Sequence, residues 1–336
     1  MVEEKLINEA LVNELYTEVF GKSPNCIEQI TGLGFANKVY QVNLCDEINI
    51  IKLPIIQFHS LDLLTAYNEY SKEMFCMEQA EKAGILTAKV ISVDKYKDIP
   101  FIIQSYIDGV NGSLYPDKSK LIWASLGKYA KILHSVEVKG YGLSMKEYGV
   151  FHNYAADFKE YGVEKYGFLY NSFNPTLKSH IEYNINCIGQ EDKFVKLDIY
   201  STENVNQIKE AFISLLDINF ELGLMHGDIK PINTIIKDDK VFLIDFGCAR
   251  VGIIPFDEFI WLNSYGNIEK EFIIFREAYG ISNEIFMSNE RILHILSMLN
   301  EFDILRWSLY HNIDDPYRIQ TAKQSVKSFI NTERTV

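Results

Sequence analysis

Two periodicities divide the chain. In the first hundred residues short segments rich in apolar and β-branched side chains, at 26–30, 38–44 and 48–53, are separated by Gly32/Gly34 and by Asp46-Glu47, which predicts strands joined by tight turns. Leu6, Ala10, Leu11, Leu15 and Phe20 ahead of them keep helical spacing, and Leu61, Leu64, Tyr67, Met74 and Met77 share one face of a helix over 60–82 that Gly84 should stop. Two more strands are expected at 89–93 and 100–106. Beyond Gly109 the pattern turns helical: Ile122, Leu126, Ala130 and Leu133 form one stripe, and Ile292, Ile295, Leu296, Leu299, Phe302 and Leu305 another. Phe212, Leu215, Leu216 and Leu222 suggest a helix ending at Gly223. Residues 140–200 are dense in aromatics, with Tyr-Gly pairs at 141, 148, 161 and 166, too unevenly spaced for a structural repeat.

At 336 residues the chain is long enough for two cores. The switch from sheet to helix places a lobe boundary near 105–109: an N-terminal lobe of residues 1–106 and a C-terminal lobe of 107–336, with a helical insert at about 140–215. No Pro/Gly/Ser linker separates them, so a tight hinge and a cleft are expected. No apolar run approaches the roughly 18 residues that span a bilayer, and Met1-Val2-Glu3-Glu4-Lys5 is acidic where a signal peptide is basic. Cysteines at 26, 45, 76, 187 and 248 show no C-x-x-C spacing, which suits a reducing, cytoplasmic setting. The formal net charge is -13, shared as -6 and -7 between the two lobes. Such a surface argues against nucleic acid and is compatible with a cationic small molecule. A monomer or weak dimer that touches no membrane is the simplest expectation.

Chemistry concentrates in Leu224-Met225-His226-Gly227-Asp228-Ile229-Lys230-Pro231-Ile232-Asn233 and in Asp245-Phe246-Gly247. A hairpin lies between them, with Thr234-Ile235-Ile236 and Val241-Phe242-Leu243-Ile244 flanking the turn at 237–240, and it should return Asp245 to the side of Asn233. Asp228 is placed to accept a hydrogen bond from an attacking hydroxyl. Asn233 and Asp245 offer oxygen ligands to Mg2+ beside a nucleotide phosphate. His226 suits bracing the loop better than acting as a base. The seven histidines show no zinc spacing. Lys52, inside apolar Ile50-Ile51-Lys52-Leu53, requires an anionic partner.

This order of motifs resembles the aminoglycoside phosphotransferase and choline kinase group, whose pattern is H-G-D-x-x-x-x-N followed by I-D-F or I-D-W. The likeness extends over most of the chain and implies an α+β, bilobal, protein-kinase-like fold: an antiparallel sheet with one long helix, then a mostly helical lobe. It implies that Gly32 and Gly34 cover a nucleotide, although Asn37 replaces the third glycine of G-x-G-x-x-G. Lys52 would grip phosphates, and Glu73, with Glu69 as competitor, would hold Lys52. Gln104 and Tyr106 would belong to the hinge that pairs with the purine. Leu126-Gly127-x-x-Ala130-x-x-Leu133-His134 matches the helix ahead of the insert, with His134 structural. The expected activity is transfer of the terminal phosphate of ATP or GTP, with Mg2+, to a hydroxyl of an aminoglycoside-like antibiotic or related small metabolite. Asp228, Lys52 and Glu73 are the catalytic set.

One departure keeps alternatives open. Lys230, two residues past Asp228, is typical of serine/threonine protein kinases, whereas Gly227 stands in place of the H-R-D arginine and no Ala-Pro-Glu follows Asp245. A protein kinase and a nucleotide-binding module without catalysis are the two rivals. Asp157, Glu160, Glu164, Glu182, Glu191, Asp192, Asp257 and Glu258 are candidate acceptor ligands.

Overall fold

The computed structural model describes residues 7–31, 37–55, 63–152, 176–263, 268–310 and 315–335. Helix α1 (Glu9–Phe20) precedes strands β1 (Cys26–Ile30), β2 (Asn37–Leu44) and β3 (Glu47–Pro54), then helix α2 (Leu63–Lys82), β4 (Val90–Tyr96) and β5 (Ile99–Ser105). The strands form one antiparallel sheet in the order β1-β2-β3-β5-β4. Strand alternation sorts its side chains to two faces. Ile51, Leu53, Ile99, Phe101 and Ile103 pack with Tyr40 and Val42 against Leu11, Val12, Leu15 and Tyr16 of α1. Each large apolar side chain buried there contributes roughly 1.5–3 kcal/mol relative to exposure, so α1 is part of the core. Lys52 and Gln104 take the other parity, toward α2, through the register Lys52↔Ile102 and Ile50↔Gln104.

Helix α2 is buried on two sides. Ala66, Tyr70, Glu73, Met77 and Ala80 fall at spacings of three and four, while Lys72, Phe75 and Cys76 form a second buried face. That second face joins the main core, where Phe75 meets Phe151 with ring centroids 6.0 Å apart.

After β6 (Val110–Asn111) the chain becomes mainly helical, as expected. Helix α3 (Ser119–His134) is followed by a small sheet of β7 (Lys139–Gly140), β8 (Ser144–Glu147) and β9 (Val150–His152), a regular piece inside the span expected to be an irregular helical insert. Helices α4 (Leu177–Cys187), α5 (Lys193–Lys196) and α6 (Val205–Leu215) come next. The helix expected to reach Leu222 ends at Leu215. Asp217 and Asn219, whose short polar side chains compete with helical hydrogen bonding, lie in the break, and Leu222 begins β10 (Leu222–Met225). The hairpin of β11 (Thr234–Lys237) and β12 (Lys240–Leu243) forms as anticipated, β6 extends it, and β13 (Arg250–Ile253) pairs with β10. The remaining helices are α7 (Phe256–Asn263), α8 (Glu269–Tyr279), α9 (Asn283–Ser288), α10 (Glu290–Tyr310) and α11 (Pro316–Thr335).

Helices α3 and α8 approach closely at Gly127, where a Cβ would collide with the carbonyl oxygen of Phe275. That contact accounts for the glycine of the Leu126-Gly127 motif. Among the described residues no helix is long and apolar enough to cross a membrane.

Candidate active site

Lys52 projects from β3 only 8% exposed, and its Nζ donates to Glu73 Oε1 at 2.7 Å and to Asp245 Oδ1 at 2.9 Å. Burial alone would depress the ammonium's pKa; Asp245 and Glu73 outweigh it and hold the group above the ordinary lysine range. The same Lys52 charge keeps Asp245 below the ordinary carboxylate range against the opposing effect of burial. Glu73, 2% exposed, also accepts a hydrogen bond from Gln104 Nε2 at 3.1 Å. The choice between Glu73 and Glu69 is therefore resolved in geometry: Glu73 meets Lys52, and Glu69 pairs with Lys72.

The His226-Gly227-Asp228 motif starts where β10 ends. Met225 is opposite Arg250 on β13, and His226 follows fully buried. Asp228 N–H points at His226 Nδ1 at 3.3 Å, which leaves Nε2 to donate to Ile244 O at 3.0 Å. Burial depresses the pKa of this imidazole despite the Ile244 carbonyl and the nearby acids, in keeping with a neutral brace. His226 thus fixes the residue just before Asp245. Gly227 has φ +75°, and a Cβ there would strike the carbonyl of Cys248; backbone conformation and space both select glycine.

Asn233 Nδ2 donates to the carbonyl and to Oδ2 of Asp228, each at 2.8 Å, and Lys230 Nζ lies 2.7 Å from Asp228 Oδ1. The hairpin brings the second acid back: Ile244 N–H donates to Asn233 O at 3.0 Å, and Asp245 follows in a left-handed turn at φ 64° and ψ 69°. Aspartate tolerates that region better than most residues. Phe246 is fully buried, its ring 4.7 Å from that of His226.

The Ile244–Asn233 backbone bond sets Asn233 against the residue before Asp245, and the two side chains offer an oxygen-only donor set, the Asn233 amide nitrogen being committed to Asp228. Such a set fits Mg2+, which takes one or two protein oxygens and completes its shell with water and phosphate. Among the described residues no group of three His, Cys, Asp or Glu is placed to hold a metal.

The other expected residues fall out as follows. Gly32 and Gly34 lie outside the described residues, as do Asp157, Glu160 and Glu164. Gln104 is at the site through its buried side chain, which bonds Glu73 and Met77 Sδ. The Tyr106 N–H is spent on Ile48 O at 3.2 Å, so it is not available to a purine in this arrangement. Asp192 is not an acceptor ligand: its carboxylate is buried on Arg306 at 2.8 and 3.2 Å and accepts from Tyr200 Oη at 2.6 Å. Glu258 is not one either. It is fully buried beneath the loop, and Oε1 accepts from His226 N at 3.1 Å and Gly227 N at 3.4 Å. Burial pushes its carboxyl up to about 7, against the pull of Arg250. The residue that sequence reasoning missed is Lys72, fully buried on α2. Its only signal was a lysine adjoining Glu73 on a helix otherwise read for apolar spacing.

Around His180 a second polar group gathers: its Nε2 lies 2.6 Å from Asp303 Oδ2, and Asn184 Nδ2 donates to Asp303 Oδ1 at 2.9 Å. Burial would lower the pKa of His180, but Asp303 outweighs it and raises it.

Comparison with known proteins follows the same lines. The description of the phosphotransferase enzyme family matches residues 32–287. Among solved structures, the chain is similar to a thermostable mutant of aminoglycoside phosphotransferase APH(4)-Ia in ternary complex with AMP-PNP and hygromycin B; the TM-score is 0.65 at 14% identity, over 94% of this chain and 98% of that one. It is similar to the GDP complex of an aminoglycoside 2'-phosphotransferase-IIIa mutant, with a TM-score of 0.61 at 14% identity over 97% and 99%. The amicoumacin kinase hAmiN, in complex with AMP-PNP, Ca2+ and Ami, has a TM-score of 0.57 at 15% identity over 98% and 95%. At such identities the likeness is one of fold. No curated protein sequence matches the chain.

Proposed function

The chain belongs to the phosphotransferase enzyme family, and from that premise we propose that it transfers the terminal phosphate of ATP or GTP to a hydroxyl of an aminoglycoside-like antibiotic or related small metabolite. The observation that carries this reading is the convergence of Lys52, Glu73 and Asp245 in one chain of contacts, with Asp228 and Asn233 joined to Asp245 through the hairpin. Similar folds with AMP-PNP, GDP or hygromycin B bound add support.

In this reading residues 1–106 hold the nucleotide and 107–336 supply the catalytic loop and acceptor pocket. Lys52, positioned by Glu73, binds the α and β phosphates. Asp228 accepts the hydrogen bond of the acceptor hydroxyl and aims its oxygen at the terminal phosphorus; its carboxylate is oriented by Asn233 and Lys230. Asn233 and Asp245 would hold Mg2+, which supplies positive charge at the phosphate oxygens when bound. Glu258 keeps the loop in register from below.

A protein-kinase reading draws on one contact, Lys230 with Asp228. Against it, only ten residues separate Asp245 from the start of α7 at Phe256, too few for a separate activation segment and docking motif. A nucleotide-consumption assay with magnesium, run across aminoglycosides, amino-alcohols, choline-like alcohols, sugars and peptide antibiotics, tests the proposal. Turnover that depends on one small hydroxyl compound and disappears in Asp228→Asn is expected; phosphate transfer only to protein would overturn it.

A further inference from the structure

Lys72 has no exposed surface, and each of its three ammonium hydrogens has an acceptor: Glu69 Oε2 at 2.7 Å, Leu143 O at 2.9 Å and Gly247 O at 2.9 Å. These acceptors come from three places, one turn back on α2, the loop before β8, and the turn just after Asp245. The neighbouring residue on α2 is Glu73, rotated about 100° around the helix and bonded to Lys52. One helix therefore fixes both ends of the Lys52–Asp245 contact, through Glu73 on the sheet side and through Lys72 on the Gly247 side.

A buried ion pair adds little net stability compared with well-packed apolar residues. What this one supplies is geometry. Asp245 is half exposed and in a left-handed conformation, a position that packing alone holds loosely. Its turn is gripped at Ile244 by His226 and at Gly247 by Lys72.

We propose that Lys72 is a positioning residue for Asp245: it locks the turn at 245–247 to α2, so that the carboxylate keeps its place beside Lys52 without waiting for a movement of the helix. This rests on the reading of Asp245 as a ligand for magnesium. A positioning residue one shell out typically alters metal affinity by about 10- to 100-fold.

The test is a magnesium titration of the full chain with a fluorescent analogue of ATP or GTP, whichever the wild type binds, followed by anisotropy beside a thermal melt. Lys72→Met should melt cooperatively and bind the nucleotide without metal as the wild type does, yet need about tenfold more magnesium for half-saturation. An unchanged magnesium requirement overturns the proposal. Asp245→Asn separates the two possible failures. If that variant also responds to magnesium like the wild type, the metal reading falls and takes the proposal with it; if it alone loses the response, only the role of Lys72 falls. Should Lys72→Met not fold, Glu69→Gln/Lys72→Met, which leaves no unpaired charge from this pair, is read in its place. Loss of folding in both variants assigns Lys72 to stability and overturns the proposal.

Discussion

Single residues in this chain divide by what their environment asks of a proton or a charge. Asp228 has both carboxylate oxygens in contact with donors, Lys230 and Asn233, and so suits orienting a hydroxyl. Replacing it by asparagine should lower turnover by on the order of a hundred- to ten-thousandfold with nucleotide binding retained, as steady-state kinetics and direct binding would reveal. Glu258 makes a different demand. Its carboxyl sits near 7 in the folded chain, raised by burial from the ordinary range near 4.5, with Arg250 and Asp257 as the charged neighbours that oppose and reinforce the shift. The folded state then holds a proton that the unfolded chain has released, so its contribution to stability is full below about pH 4.5 and declines as pH rises through 7. Glu258→Gln should flatten the fall of melting temperature between pH 5 and 7.5. A pH profile identical to that of the wild type would mean that Glu258 does not titrate there.

At the scale of elements, ion pairs decide how the helical part is assembled. The Asp192–Arg306 pair, reinforced by Tyr200 and by Phe194 4.2 Å from the guanidinium, ties the segment around α5 to α10. Asp192→Asn leaves Arg306 buried without a counter-charge and should cost about 3–5 kcal/mol in urea unfolding, while the double change with Arg306→Met should recover much of it. Elements differ in how readily they announce themselves. The apolar run Ile50-Ile51-Lys52-Leu53 was enough to call for an anionic partner for Lys52, which Glu73 and Asp245 supply, and the apolar flanks of β11 and β12 announced the hairpin that lies between Asn233 and Asp245. Lys72 and Asp192 were not legible in that way, because the partners that tie them across the fold, Leu143 and Gly247 for one and Arg306 for the other, lie 71 to 175 residues away. A local pattern carries no information about such pairings. The break at 216–221 was missed because Leu222 happens to extend the helical spacing of Phe212 and Leu215.

For the whole molecule, a net charge of -13 spread along the chain acts on anything charged that approaches it. If the acceptor is a polycation, kcat/KM should drop severalfold between about 0.05 and 0.3 M salt while a neutral acceptor changes little, since screening shortens the reach of the field; equal salt dependence for both would dismiss steering. Helix α1 bears on the molecule in a more practical way. It covers the outer side of the five-stranded sheet, with Lys38 Nζ bonded to Ile7 O at 2.9 Å and Asn49 Nδ2 to Tyr16 Oη at 2.5 Å. A shortened gene product that starts at Gly21 would bare Tyr40, Val42, Ile51 and Leu53 as one sticky plane. Its recovery in the pellet of a cell lysate, with the full-length chain in the supernatant, is the expected fate of anyone's attempt to trim this end.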